Sequence, residues 1–424
     1  MFLNPDRKPI LNQRADTVYL TGSVASSFFF TLVFTLNLVY HVKTVGLDPL
    51  QLVLVGTVLE ASIFLFEIPT GFMADVFSRR LSTIIGFFVV GLGFIIEGSL
   101  PTFTGILLAQ IVWGMGYTFI SGAFDAWISD EIGAESVGKL FLRSHQMQII
   151  ANFIAIPPSV LLGNILLNLP ILIGGVLFMA MSVWLWLVMP ETRFTPIPRE
   201  EREDFSGFIK TFQEGIKLVR GNRAVMNYFG VMLFVGLASE AYDRMNTAHF
   251  LQNFEFPMLG TFSMSDETWF GVLGFISGLL TLGLTELVRR KLDLTNFRRV
   301  ILLLMIIGFT TAGSIILFAS LNAIGPIIAI YLLISVMRSL GGPIENAWIN
   351  QHISSKYRAT TLSASSQLNA LGQVVGGPML GWVGKAASIR LALLISGMLH
   401  FAPMIFYGRS FRDQKQIDAE NESG

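Results

Sequence analysis

The chain has no cysteine among its 424 residues, so disulfide bonds and thiolate metal sites are excluded. Patterns typical of enzymes and ATPases are also missing: His-Glu-x-x-His, Gly-x-Ser-x-Gly and Gly-x-x-x-x-Gly-Lys-Ser/Thr. His145, His249 and His400 are isolated, without metal-ligand spacing. We therefore expect no metal, no cofactor and no energy from bound ATP.

Charged residues are scarce, at 14% of the chain, against about 25% in soluble domains. Apolar residues make up 52% and the mean hydropathy is +0.62, values typical of a polytopic membrane protein. The 29 basic and 29 acidic residues cancel, so nothing suggests nucleic acid as a partner. The first twenty residues carry charges and no apolar core, so we expect no removable signal peptide.

Twelve segments are long and apolar enough to cross a bilayer, which needs about 20 residues each. They cover residues 18–41, 50–74, 82–100, 103–128, 138–166, 169–189, 224–251, 267–288, 299–320, 323–348, 359–384 and 387–408. The sequence therefore predicts an all-α integral membrane protein.

Basic residues orient these segments, because cytoplasmic loops collect lysine and arginine. If both termini are cytoplasmic, 24 of the 29 basic residues lie on that side, and only Lys43, Lys385 and Arg390 lie outside. We predict a multi-pass protein of the plasma or inner membrane with both termini in the cytoplasm. We expect a monomer.

The longest polar stretch, residues 190–223, divides the segments into two groups of six. Within it Phe205, Phe208, Phe212, Ile216 and Val219 recur at helical spacing. We interpret this stretch as a short amphipathic helix against the cytoplasmic face; a mobile charged linker is the alternative.

The stretch Glu67 to Arg80 ends one apolar segment and begins the next. Here we expect Gly71 to allow close approach of a neighbouring helix and Asp75 to accept from the amides that open the next helix. Arg79 and Arg80 should hold the turn on the cytoplasmic side.

This stretch resembles the loop signature of the major facilitator superfamily, Gly-x-x-x-Asp-x-x-Gly-Arg-Arg/Lys, with Ser78 where the family usually has glycine. The halves also repeat: Asp125-Ala126-Trp127-Ile128 matches Asn346-Ala347-Trp348-Ile349 at an offset of 221. The resemblance implies two pseudo-symmetric six-helix bundles, residues 1–189 and 224–424, joined by 190–223, with a central cavity between them.

Ionisable residues inside the apolar segments are costly, about 2.5 to 3.5 kcal/mol each on insertion scales, and therefore point to function. Four carboxylates are our candidates for carrying protons: Glu60, Asp125, Glu240 and Asp243. Arg244 can pair with Glu240 four residues away, and Arg338 needs an acid from elsewhere: Asp243, Glu240 or Asp125. Static ion pairs that fix helix packing are the alternative, which we favour for Glu97, near the outer end of its segment.

Other polar residues are assigned to a gate and to a cavity. The predicted cytoplasmic gate consists of Glu67, Gly71, Asp75, Arg79, Arg80 and Glu345. The candidate substrate-cavity residues are Gln110, Tyr242, Asn246 and His249. For His249 a hydrogen-bonded helix residue is the competing interpretation.

The resemblance implies a secondary transporter of a small molecule that works by alternating access in the lipid bilayer. We predict proton-coupled efflux of drug-like or amphipathic compounds, since acids outnumber bases among the buried groups and the chain has 36 phenylalanines. Gln110 replaces the arginine usual in drug and proton antiporters, which puts their standard mechanism in doubt. An importer or facilitator of a small metabolite is the alternative, and a membrane-embedded enzyme is a remote one.

Overall fold

The computed structural model describes residues 13–195, 221–258, 264–291, 296–350, 353 and 358–423. Over these residues the chain is helical and contains no strand. The helices of the first half are α1 (Ala15–Phe34), α2 (Asn37–Lys43), α3 (Pro49–Val76), α4 (Arg79–Ser99), α5 (Phe103–Ile120), α6 (Ala123–Ile132), α7 (Ala134–Ile165) and α8 (Leu169–Val188). Those of the second half are α9 (Arg223–Asn253), α10 (Asp266–Lys291), α11 (Phe297–Ser320), α12 (Ile324–Asn350), α13 (Arg358–Ala386), α14 (Ile389–Leu399) and α15 (Ala402–Ser423).

These helices coincide with the twelve predicted segments, and the all-α membrane fold is confirmed. Eleven spans in the described residues are long and apolar enough to cross a membrane. The predicted eleventh segment, seen as α13, falls below that threshold because serine, threonine, asparagine and glutamine interrupt it. The predicted amphipathic helix of the linker lies mostly outside the described residues.

Three predicted segments are each built from two helices. The first breaks at Thr35 and Leu36, between α1 and α2. The fourth breaks at Ser121 and Gly122, where Gly122 has φ +77°, a left-handed conformation that favours glycine. The twelfth breaks at His400 and Phe401, between α14 and α15.

Two compact units divide the chain. The first comprises the described residues of Met1–Leu47, Val58–Arg202 and Met264–Val272, and the second those of Asp48–Thr57, Glu203–Ser263 and Leu273–Gly424. In the first, α4 packs against α5 and α8, and α1 against α7; in the second, α9 packs against α13 and α11 against α12. The domain boundaries at 190 and 223 stay a prediction.

Glycine sets the closest contact of the second unit. A Cβ on Gly372 or Gly376 of α13 would collide with the backbone of α9 around Leu233 and Leu237. Small residues bring membrane helices together in this way, where no hydrophobic effect drives them together. These glycines therefore fix α13 against the helix that carries most of the buried charges.

Candidate functional site

An ion pair between α9 and α12 is the centre of the candidate site. Arg338 donates from both terminal nitrogens to the two carboxylate oxygens of Asp243, with Nη2 2.8 Å from Oδ2. The side chains are 32% and 36% exposed, so the pair is neither fully buried nor in open solvent. The guanidinium also lies 5.6 Å from the ring centre of Tyr242. Of the three acids that we considered as partners of Arg338 from the sequence, Asp243 is the one that forms the ion pair with it in the structure.

A second ion pair lies within α9, between two residues that are one helical turn apart. Arg244 Nε is 3.3 Å from Glu240 Oε2, and Glu240 is 2% exposed. Both side chains fill the space above Gly56 of α3, where a Cβ would collide with them. Two acids and two arginines are thus concentrated on α9 and α12 of the second unit.

The second unit also contains a cavity of about 190 Å³ beside this charge cluster. Arg338 and Glu345 both line it, and the Tyr407 hydroxyl donates to Glu345 Oε1 at 2.7 Å. The structure therefore places Glu345, a predicted gate residue, in a cavity with Arg338. Its gate role stays a prediction.

The remaining proton-carrier candidates belong to the first unit. Asp125 is not inside a continuous membrane helix, as the sequence analysis assumed, because α5 ends at Ile120 and Asp125 lies exposed in the first turn of α6. It accepts from the Tyr19 hydroxyl at 2.7 Å. Glu60 lies in α3 with intermediate exposure, as does Glu67.

The predicted gate loop is held differently from our expectation. Asp75 does not cap the next helix: Ser78 does, its side chain accepting from the amide of Leu81 at 2.9 Å. The serine that departs from the family signature is thus the N-cap, a position that serine favours. Gly71 has no atom of the described structure within 4 Å of a Cβ, so close helix approach there was a wrong expectation.

Arg79, at the start of α4, binds two acids, one from the end of α3 and one from α6. Its Nη1 is 2.5 Å from Asp130, whereas its Nη2 is 3.4 Å from Asp75, which is 53% exposed. The latch between Asp75 and Arg79 therefore exists, but Asp130 of α6 is the nearer partner. Sequence reasoning missed Asp130 because it lies 51 residues from Arg79.

Glu191, which follows α8, is a second acid that binds this loop and was not predicted from the sequence. It accepts from the amide of Arg80 at 2.8 Å and from Ser78 Oγ at 2.5 Å. Burial raises the pKa of Glu191 above its ordinary value, an effect that the hydrogen bonds from Arg80 and Ser78 oppose. Arg80 itself is buried and donates to the carbonyl of Trp186 at 2.7 Å.

The four substrate-cavity candidates are all buried. Asn246 donates to the carbonyl of Tyr242 at 2.8 Å, and His249 Nε2 lies 3.2 Å from the carbonyl of Phe318. Gln110 Nε2 lies 3.3 Å from Glu97, and its Oε1 accepts from Trp113. Contact with substrate would require these side chains to be uncovered.

An apolar cavity of about 510 Å³ opens in the first unit between α1 and α7. It is lined by Leu20, Thr21, Val24, Ala25, Phe28, Phe29, Met147, Ile150, Ala151 and Ile154. Its size and lining are typical of sites for apolar small molecules. The residues of α7 that form it were not singled out from the sequence.

Membrane-spanning helices with paired charges and cavities among them are typical of membrane transporters of small solutes. The sequence model of the Major Facilitator Superfamily matches residues 18–377 of the chain. The chain belongs to this superfamily.

Comparison with known proteins agrees with this assignment. A protein of Bacillus subtilis (strain 168), described as an uncharacterized MFS-type transporter, YxaM, is 23% identical over 366 residues, covering 85% of this chain and 87% of its own. The nucleoside transporter NupG has a TM-score of 0.70 at 13% identity and covers 93% of this chain and 99% of its own. A POT family transporter in complex with 5-aminolevulinic acid has a TM-score of 0.73 at 13% identity, with coverage of 95% and 96%. At these identities the two structures show the fold alone.

Proposed function

We propose that the protein couples the export of amphipathic, drug-like molecules to the movement of protons. The observation that carries this proposal is the pairing of Asp243 with Arg338 between two helices, next to Glu240 and Arg244. An arginine nearby favours the charged form of a carboxylate, and its withdrawal favours protonation. Alternating access that separates α9 from α12 would therefore change the proton affinity of Asp243.

The substrate class follows from the cavities and their charges. The cavity between α1 and α7 is apolar, with Phe28 and Phe29 in its wall and Thr21 as the one polar side chain among the described residues that line it. With Glu345, which lines the adjoining cavity beside Arg338, the second unit sets three acids against two arginines here, so a lipophilic cation or zwitterion suits the protein better than an anion. We propose Gln110, Tyr242, Asn246 and His249 as further contacts once the helices rearrange.

The experiment uses the full chain in proteoliposomes with an imposed pH gradient and two probes, a lipophilic fluorescent cation and a nucleoside. We expect gradient-driven movement of the cation, and its loss in Asp243→Asn with exchange of the cation still present. Glu240→Gln, Glu60→Gln and Asp125→Asn test the other proposed carriers. Asp48→Asn is the matched control, because Asp48 pairs with Lys385 at 2.9 Å outside the spanning helices.

Two results would contradict the proposal. Gradient-driven transport that is unchanged in all four variants would reject these carboxylates as proton carriers. Movement of the nucleoside but not of the cation would favour the alternative, import or facilitated passage of a small metabolite.

We also propose the orientation of the chain, with both termini cytoplasmic in the plasma or inner membrane and a monomer as the working unit. The absence of cysteine makes single-cysteine labelling direct. In intact cells, a membrane-impermeant maleimide should label Ala387→Cys, between α13 and α14, and not Gly221→Cys, before α9. The reverse labelling pattern would invert the proposed orientation.

A further inference from the structure

A polar cavity of about 670 Å³ lies in the first unit, where α1 and α7 begin and where the chain leaves α8. Four basic and two acidic side chains line it. The basic ones are Arg14, Lys139, Arg143 and Arg193, and the acidic ones are Asp16 and Glu131. The described lining therefore carries a surplus of positive charge.

Both acids of this cavity are already bound within the protein. Asp16 Oδ2 pairs with Arg14 Nη2 at 2.9 Å. Glu131 Oε1 accepts from the backbone amides of Thr192 and Arg193 at 2.5 and 3.0 Å, and its Oε2 accepts from the Thr192 hydroxyl at 2.7 Å. Neither carboxylate is placed to neutralise the other basic side chains of the cavity.

Three basic side chains of the cavity have no acidic partner in the part of the chain that the structure describes: Lys139, Arg143 and Arg193. All three are exposed. Lys139 and Arg143 are four residues apart on α7 and so share a face of that helix. Ammonium and guanidinium groups bind phosphate by charge-assisted hydrogen bonds, and basic pockets between membrane helices bind anionic headgroups. The cavity is therefore suited to a phosphate group.

The apolar cavity between α1 and α7 continues from the polar one along the same two helices. On α1 the polar lining ends at Asp16 and the apolar lining begins at Leu20; on α7 the polar lining ends at Arg143 and the apolar lining begins at Met147. Four residues of helix span about 6 Å, so on each helix one lining follows the other after about one turn. The two helices thus form one groove, charged where they begin and apolar further along.

The apolar part of this groove is open. Ile150 and Ile154 of α7 are each 58% exposed, and Met147 is 37% exposed. The cavity that they line has a volume of about 510 Å³. A phosphate ion at the charged end would leave this apolar surface uncovered, whereas an amphiphile with an anionic head and an apolar tail would cover both parts of the groove.

We infer that the groove between α1 and α7 binds an anionic phospholipid, with its phosphate at Lys139, Arg143 and Arg193 and an acyl chain in the apolar cavity. The site goes beyond the proposed function, with which it shares the apolar cavity. Lipid binding requires neither a pH gradient nor the carboxylates of α9, so each of the two proposals can fail alone.

Native mass spectrometry of the delipidated full chain, titrated with phosphatidylglycerol or with phosphatidylcholine of the same acyl chains, tests this inference. We expect phosphatidylglycerol to bind about tenfold or more tightly than phosphatidylcholine. Lys139→Gln, Arg143→Gln and Arg193→Gln should each weaken its binding about fivefold, which corresponds to about 1 kcal/mol per basic residue. The matched control is Arg409→Gln, an exposed arginine of α15 that lies outside the groove, and it should leave binding unchanged.

A second pair of variants tests the acyl chain. Ile150→Asn should weaken phosphatidylglycerol binding about fivefold, because it places an amide in the apolar wall. Leu161→Asn, also on α7 and 68% exposed but outside the cavity lining, should have no effect.

Equal binding of the two lipids would overturn the site, as would phosphatidylglycerol binding that is unchanged in all three charge variants. Titration with inorganic phosphate distinguishes a soluble anion from the lipid. Phosphate binding that depends on the same three basic residues, together with unchanged phosphatidylglycerol binding in Ile150→Asn, would assign the polar cavity to a soluble anion and also overturn the inference.

Discussion

Both units hold a carboxylate among their helices, but they surround it with different chemistry. In the second unit Asp243 is held by the guanidinium of Arg338, which stays protonated in proteins. In the first unit Glu97 is held by two amides and an imidazole, and no arginine or lysine of the described residues binds it. The first arrangement is an ion pair with a guanidinium, whereas the second is a network of hydrogen-bonding side chains around a carboxyl group.

The carboxylates that differ between the two halves do not lie in the stretches that the internal repeat matches. The repeat sets Asp125 on Asn346 and Ser144 on Ser365, yet neither Asp243 nor Glu97 belongs to those matched stretches. The repeat therefore does not determine where Asp243 and Glu97 lie in the two halves.

We expect the largest effect on stability when Arg338, the cation of the ion pair, is removed. Arg338→Leu leaves Asp243 with its charge uncompensated, and we expect the free energy of unfolding to fall by about 3 to 5 kcal/mol. His41→Leu should cost less, about 1 to 3 kcal/mol, because Asn37 and Gln110 still donate hydrogen bonds to Glu97 when the imidazole is lost. Denaturant titrations in detergent measure both losses.

Asp243→Asn introduced together with Arg338→Leu should recover part of the loss, since no charge then remains. Equal losses in Arg338→Leu and His41→Leu would break the contrast between the two units. So would a double variant no more stable than Arg338→Leu alone.

A smaller effect is expected from packing. Gly376→Ala places a methyl group against the backbone of α9, and we expect a loss of about 1 to 3 kcal/mol in the free energy of unfolding. Gly71→Ala is the matched control in the first unit, since its Cβ meets no atom of the described structure within 4 Å. Thermal unfolding compares them, and a Gly71 variant as unstable as the Gly376 variant would refute the distinction.

The smallest effect concerns the gate loop of the first unit. Arg79 is nearer to Asp130 than to Asp75, so Asp130→Asn should destabilise the loop more than Asp75→Asn, each by about 0.2 to 1 kcal/mol because the pairs are partly exposed. If the loop is a gate, both changes should slow turnover more than they weaken substrate binding. Transport rates and binding affinities for the two variants decide this, and unaltered turnover would count against the gate.

Much of the fold could be predicted, because a membrane helix is specified locally by about 20 apolar residues. The breaks inside the first and fourth segments could not, since apolar length is unaffected by a turn at Thr35 or at Gly122. The pair within α9 was predicted from its four-residue spacing, and the partner of Arg338 only as one of three acids.

The polar cluster around Glu97 shows where sequence reasoning stopped. Glu97 was assigned to packing, and His41 was not considered. Asn37 and His41 are four residues apart and so share a helix face, which was the available signal. The signal did not identify the partner, because Glu97 is 56 residues from His41.

By itself the sequence determined that this is a helical membrane protein of repeated halves, because apolar length and the positions of lysine and arginine act within single segments. Only the tertiary structure decided which acid meets which base, since the partners of Arg338, Arg79 and Glu97 come from other helices. A charge inside a membrane is costly until a partner reaches it, and the partner is brought there by the packing of helices distant in the chain.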